Sequence, residues 1–161
     1  MLVMQLHVAG GRANAASASP IPVDNSWNYP LTSPPAVLRD FQAPASAYGA
    51  GHRGLDLLST AGAVLLAPVG GTVAFNRSVA GKPVLVLSTT NGLRVSFEPA
   101  CSQMQVGSVV SAGQILGSVC GGSYVSHCAP QLCVHWGVRN NLGYLSPRVF
   151  WGSLSPSRLL A

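Results

Sequence analysis

Acidic side chains are scarce: four Asp and Glu stand against nine Lys and Arg in 161 residues, and charged residues together make up 8% of the chain. With 48% hydrophobic residues, so little charge excludes charge-driven disorder despite 18 Gly and 12 Pro. No apolar run reaches the roughly 18 residues of a membrane helix; the densest are Val64 to Val69 and Val84 to Leu87. No transmembrane segment is expected. Helical periodicity is missing, as is any internal repeat beyond recurrent Gly-x-Val pieces. Eight of the nine cations are Arg, placed singly with no cluster and no aromatic stripe, so the net +5 does not read as a nucleic-acid surface. The length suits one domain with a real core.

Residues 1–18 pair a short apolar stretch, broken by Gln5 and His7, with small-residue sites at Ala13-Asn14-Ala15 and Ala16-Ser17-Ala18. They form a weak signal-peptide-like segment without a basic start; a plain Ala/Ser-rich arm is the rival reading. Cysteine is absent from the first hundred residues. The four that follow, Cys101, Cys120, Cys128 and Cys133, are an even and concentrated set, as an oxidising compartment would permit, and favour export. Of three pairings, Cys101 with Cys120 and Cys128 with Cys133 is preferred, because a Val- and Gly-rich hairpin separates the first pair and four residues the second. A four-cysteine zinc site is the rival, but neither spacing resembles a zinc knuckle.

A Pro-rich lead-in spans 19–47, expected to drape over the domain through Trp27, Tyr29, Leu31, Val37, Leu38 and Phe41, with one helical turn near Ala36 to Asp40. From 48 to 161 short Val- and Leu-rich runs alternate with Gly, predicting a mainly β fold: a compact antiparallel sheet or sandwich with Gly-rich hairpins. The expected strands include Gly71 to Phe75, Val84 to Leu87, Leu93 to Phe97, Val106 to Val110, Ile115 to Val119 and Leu132 to Arg139. Asn91-Gly92 is a hairpin turn.

Among so few polar groups, His52 and Asp56 in Gly51-His52-Arg53-Gly54-Leu55-Asp56 stand out. On a regular strand they would lie about 13 Å apart, so both can grip one ion only if the backbone bends, which Gly54 permits. His135 is the third candidate; strand alternation puts it on one face with Cys133, and Trp136 on the other, where a core role is expected. Two imidazoles and a carboxylate make a three-ligand zinc site with an open position. Taken alone, the His52-x-x-x-Asp56 pair is a weak signal, and a salt-bridged surface His beside a solvated Asp would ordinarily be the better explanation.

The surrounding framework weighs against that plainer reading. Gly62 before Val64, Ala67-Pro68, Gly70-Gly71-Thr72-Val73, Gly92, Gly107 with Val110, and Ala112-Gly113-Gln114-Ile115-Leu116-Gly117 accompany the His-x-x-x-Asp pair and the late His135. From about Tyr48 to Pro147 the chain resembles the lysostaphin-type, LytM-like zinc endopeptidases of bacterial cell walls. The resemblance implies their duplicated-hybrid-motif type of β fold, a zinc ion held by His52, Asp56 and His135, peptidoglycan peptides as substrate, and a secreted or cell-wall-associated location.

Two departures matter. The family usually has two further histidines acting on water and the developing oxyanion; here Cys133 stands at the first place and Phe97-Glu98-Pro99-Ala100 spans the second. Removing a positioned acid or base typically costs about 10²–10⁴-fold in rate. Glu98 is a candidate substitute base, with a solvated edge carboxylate as its plainer reading; His127 is a candidate substitute from the loop, unless it is simply exposed. Cys133 could ligate zinc as a thiolate unless Cys128 claims it. Two functions follow: a zinc endopeptidase with weak hydrolysis, or a non-catalytic relative that binds wall peptides or regulates another cell-wall hydrolase. A metal-free structural domain is disfavoured by the joint presence of His52, Asp56 and His135.

Overall fold

A computed structural model describes residues 26–46, 48–122 and 126–151. The signal-peptide-like segment 1–18, the start of the lead-in and the last ten residues lie outside these. Eleven strands are described, in chain order β1 (Val37–Arg39), β2 (Gly54–Ser59), β3 (Val64–Leu66), β4 (Gly71–Val79), β5 (Lys82–Ser88), β6 (Arg94–Glu98), β7 (Ala100–Cys101), β8 (Val109–Val110), β9 (Ile115–Val119), β10 (Leu132–Arg139) and β11 (Tyr144–Leu145). One 3₁₀ turn, Pro147–Val149, follows.

All pairings are antiparallel. The main sheet has the order β1-β2-β10-β6-β5-β4-β8 with β11 also on β10; a smaller sheet has the order β3-β9-β7. Period-two patterning builds the layers. Leu55 and Leu57 of β2, Leu85 and Leu87 of β5, Val95 and Phe97 of β6, and Val134 and Trp136 of β10 are fully buried. They form one core with Leu65, Leu116 and Val119 of the smaller sheet. Trp27 and Phe150 stack on each other at 4.4 Å within it. The lead-in is therefore anchored through Trp27 and Leu31, both buried.

Three local expectations need correction. Residues Ala36 to Asp40 form no helical turn: Val37–Arg39 is an edge strand, with Val37 opposite Leu57, Arg39 opposite Asp56 and the Leu58 amide donating to the Ala36 carbonyl at 2.8 Å. The outer side of β2 needs partners for its amides and carbonyls, and the segment that follows Pro34 and Pro35 supplies them. In the run Val106 to Val110 only Val109–Val110 enters a ladder, because Gly107 sits at φ 95, a turn conformation. Strand β4, conversely, runs four residues past Phe75.

The cysteines pair as Cys101 with Cys120, at 5.2 Å between α-carbons, and Cys128 with Cys133, at 6.0 Å. The first bond joins β7 to the residue after β9. The second closes a short loop onto the start of β10.

Candidate metal centre

The outward face of the main sheet carries the polar residues. His135 on β10 stands directly opposite Asp56 on β2 and directly opposite Glu98 on β6, so the three side chains share one rung and one face. His52 precedes β2 and is tied to Gln42 by an isolated bridge, with Gln42 and His52 exchanging backbone hydrogen bonds of 2.9 and 2.8 Å. That bridge turns the chain so that His52 Nε2 lies 3.0 Å from Asp56 Oδ1. The glycine between them works differently from the sequence-based expectation. Gly54 is not in the left-handed region; a β-carbon there would stand 2.3 Å from the Trp136 carbonyl oxygen and 2.7 Å from His135 Nε2. It is needed for room, letting the His135 imidazole lie across β2.

Three ring nitrogens converge on one carboxylate oxygen: His135 Nδ1 at 2.8 Å, His127 Nε2 at 2.9 Å and His52 Nε2 at 3.0 Å from Asp56 Oδ1. His52 Nε2 and His135 Nδ1 are 3.2 Å apart. All four donor atoms lie within 4.8 Å of one another. Donors around a tetrahedral zinc at about 2.0–2.2 Å stand roughly 3.3–3.6 Å from one another, close to this spacing.

The hydrogen bonding bears on what the set could hold. His52 Nδ1 donates to the Asp40 carbonyl at 2.7 Å, since a carbonyl can only accept. A neutral His52 therefore points a lone pair, not a proton, from Nε2 at the Asp56 carboxylate and at His135. Asp56 is fully buried, and its Oδ2 has no hydrogen-bond partner. The His52 lone pair and the buried carboxylate repel unless a positive charge lies among them, either a metal ion or a proton on His135 or His127. Burial by itself would push the Asp56 carboxyl up, but hydrogen bonds from His135 and His127, together with their charge, hold it well below the usual carboxylate range. A donor set of imidazole and carboxylate groups, with an outer carbonyl fixing one tautomer, fits zinc.

Other expected residues fall around this centre. Glu98 is half-buried, with Lys82 Nζ at 3.7 Å. His127 reaches the centre from the loop before β10. It shares a narrow niche with Lys82, Glu98, Pro99, Ser126 and Cys133. Cys133 is held in its disulfide, so it offers no thiolate. Trp136 is fully buried on the opposite face.

The sequence reading missed a cleft of about 530 Å³ farther along the same face. Phe75, Val79, Val84 and Val86 form its floor, with Arg94, Arg139 and Tyr144 at its end. Arg94 and Arg139 are directly opposite each other on β6 and β10, exposed, and without an ion-pair partner among the described residues. The signal was there: Arg139 lies four residues past His135 and so on its face, about 13 Å away.

No family model matches the chain. It is 40% identical over 121 residues to an uncharacterized protein of Mycobacterium tuberculosis, covering 74% of this chain and 48% of that one. The chain thus spans about half the length of the curated relatives it matches. Among solved structures, the catalytic domain of lysostaphin from Staphylococcus simulans superposes with a TM-score of 0.62 at 19% identity, covering 74% of this chain and 93% of that one. A zinc-containing peptidase from Vibrio cholerae gives a TM-score of 0.59 at 18% identity, covering 76% and 39%. The antiparallel sandwich, with His52, Asp56 and His135 gathered on its open face, has the LytM-like fold of the lysostaphin-type peptidase domains.

Proposed function

We propose that this chain is an exported zinc-binding domain of the lysostaphin-type family, acting as a slow endopeptidase on bacterial cell-wall peptides. The convergence of His52, Asp56 and His135 on one sheet face beside a long cleft carries the reading. These three would hold the zinc, which when bound supplies a Lewis acid for water and for a peptide carbonyl. Glu98, on the same rung as His135, is the carboxylate nearest the place of a proton acceptor. The apolar floor of the cleft suits an extended peptide, and Arg94 with Arg139 suits the carboxylates of such a peptide. Two disulfides among the described residues support an oxidising compartment and hence export to the wall. Hydrolysis is slow because positions 99 and 133 hold proline and a bonded cysteine where the family uses imidazoles.

That same loss favours a second reading: a domain that keeps the zinc and the cleft to bind wall peptides or to regulate another hydrolase. Metal analysis of the purified chain combined with digestion of purified peptidoglycan separates the two. About one zinc per chain with slow release of fragments supports the first. Zinc with retention on the wall and no cleavage supports the second, and a chain that takes up no zinc overturns both.

A further inference from the structure

The His127 loop stands apart from the other parts of the centre. His52 is fixed by a bridge and by the Asp40 carbonyl, and Asp56 and His135 by the ladders of β2 and β10. Residues 126–131 have no such framework among the described residues. Their backbone hydrogen bonds run from Ala129 to Ser126 and from Gln131 to Cys128, and Ser126 Oγ bonds Gln131 and Cys128, so among the described residues these bonds all close inside the loop. Besides the chain itself, which runs from Gln131 into β10, the Cys128–Cys133 bond and the His127 imidazole join the loop to the sheet.

Cys133 and His135 are two apart on β10 and share a face. A disulfide at 133 therefore pins Cys128 beside the centre, and its chain neighbour His127 is carried within reach; its Nε2 is 4.0 Å from Cys133 Sγ. The imidazole does not stop at the distance of a group acting on a ligand. At 2.9 Å from Asp56 Oδ1 it stands as close as His135 and His52 do, at 2.8 and 3.0 Å.

We infer that His127 is the fourth donor of the metal centre, and that the Cys128–Cys133 disulfide is the positioning element that keeps it there. This rests on the zinc reading above and adds a regulation of that site: the vertex that a hydrolytic zinc leaves open is closed by a side chain held on a covalent tether. The cysteine at 133 thus brings a further imidazole to the face that already carries His135, but as a ligand instead of a base. A closed centre would slow hydrolysis independently of the missing histidines.

The test uses the full chain loaded with Co²⁺, whose visible absorption reports its ligands, with azide as a small exogenous ligand and a chelator competition for affinity. The wild-type spectrum is expected not to respond to azide. His127→Ala, and separately the Cys128→Ser/Cys133→Ser pair, are expected to gain an azide-responsive spectrum and to lose at least the ~10–100-fold in affinity that an outer partner is worth. The Cys101→Ser/Cys120→Ser pair, in the other sheet, should behave as wild type. If the Cys128/Cys133 pair will not fold, opening the bond with a phosphine in the folded Cys101→Ser/Cys120→Ser variant, and capping the freed thiols before Co²⁺ is added, supplies that arm. An azide response in wild type equal to that of His127→Ala overturns the ligand assignment. A tether-free protein matching wild type overturns the role of the disulfide. Failure of wild type to take up metal overturns the zinc reading itself, a distinct result.

Discussion

The two faces of β10 are made by the same eight residues and owe their order to different things. Val134, Trp136 and Val138 point into the core, where Trp136 lies 5.6 Å from Trp151 and 6.4 Å from Trp27 between ring centroids. Cys133, His135, Gly137 and Arg139 point the other way. The core face is held by apolar area, which is non-directional and tolerant of many partners. The site face is held by directed contacts to residues distant in sequence: His135 meets Asp56 across 79 positions and His52 across 83. One face makes the fold and the other exploits it, so substitutions on the two faces should fail in different ways.

The largest effect belongs to the core face. Trp136→Ala removes a fully buried ring at the junction of lead-in and sheet, and should cost about 3–5 kcal/mol in denaturant unfolding. Equal stability of variant and wild type would break the comparison at once. Gly54→Ala strikes where the faces meet, since its β-carbon would collide with both the Trp136 carbonyl and the His135 ring. It should lower stability and zinc content together; a stable variant with full zinc would show that the ring has room to move.

His135→Ala should separate the faces cleanly. The fold should be retained, because His135 lies on the face of β10 opposite the core side chains Val134 and Trp136, and the zinc content of about one per chain should fall to none. Full occupancy in this variant would remove His135 from the centre. Glu98→Gln sharpens the picture further, keeping shape while deleting a carboxylate outside the ligand set. It should leave zinc content unchanged and lower any slow wall hydrolysis by ~10²-fold or more. Undiminished cleavage would return the role of base to another group.

Much of this was legible in the chain because it is local. The alternation of Leu93, Val95 and Phe97, the boundaries of β9 and β10, and the turn at Asn91-Gly92 follow from patterning that each segment carries within itself. The Val37–Arg39 strand was hidden because its conformation is set by the open edge of β2, not by its own residues. Gly54 reads as a hinge in sequence because the ring it accommodates lies 81 positions away. The cleft and its opposed arginines depend on the register between β6 and β10, which no single segment specifies. His127 could be named, but its approach to Asp56 depends on which cysteines pair.

The smallest expected effect tests how far the site face reaches outward. Arg148 grips the Asp40 carboxylate at 2.6 and 2.9 Å, and the carbonyl of that same Asp40 orients His52. The hydrogen bond from Arg148 outweighs partial burial and holds the Asp40 carboxyl below its ordinary value, while raising that of Arg148. A carboxylate with a lowered folded-state pKa adds stability that is fully present above the unfolded value, about 3.9, and lost as pH falls through the folded one. Because Asp40 is largely exposed, the pair should be worth no more than the ~0.2–1 kcal/mol of surface ion pairs. Arg148→Ala should therefore lower stability slightly at pH 7 and flatten the loss below pH ~4. Zinc affinity should drop by less than the ~10-fold typical of a group touching a ligand directly, since Arg148 acts through the backbone of its neighbour. A larger drop at pH 7, with unfolding unchanged, would mean that the carbonyl contact to His52 depends on this one guanidinium and that the site face is less self-sufficient than the core face behind it.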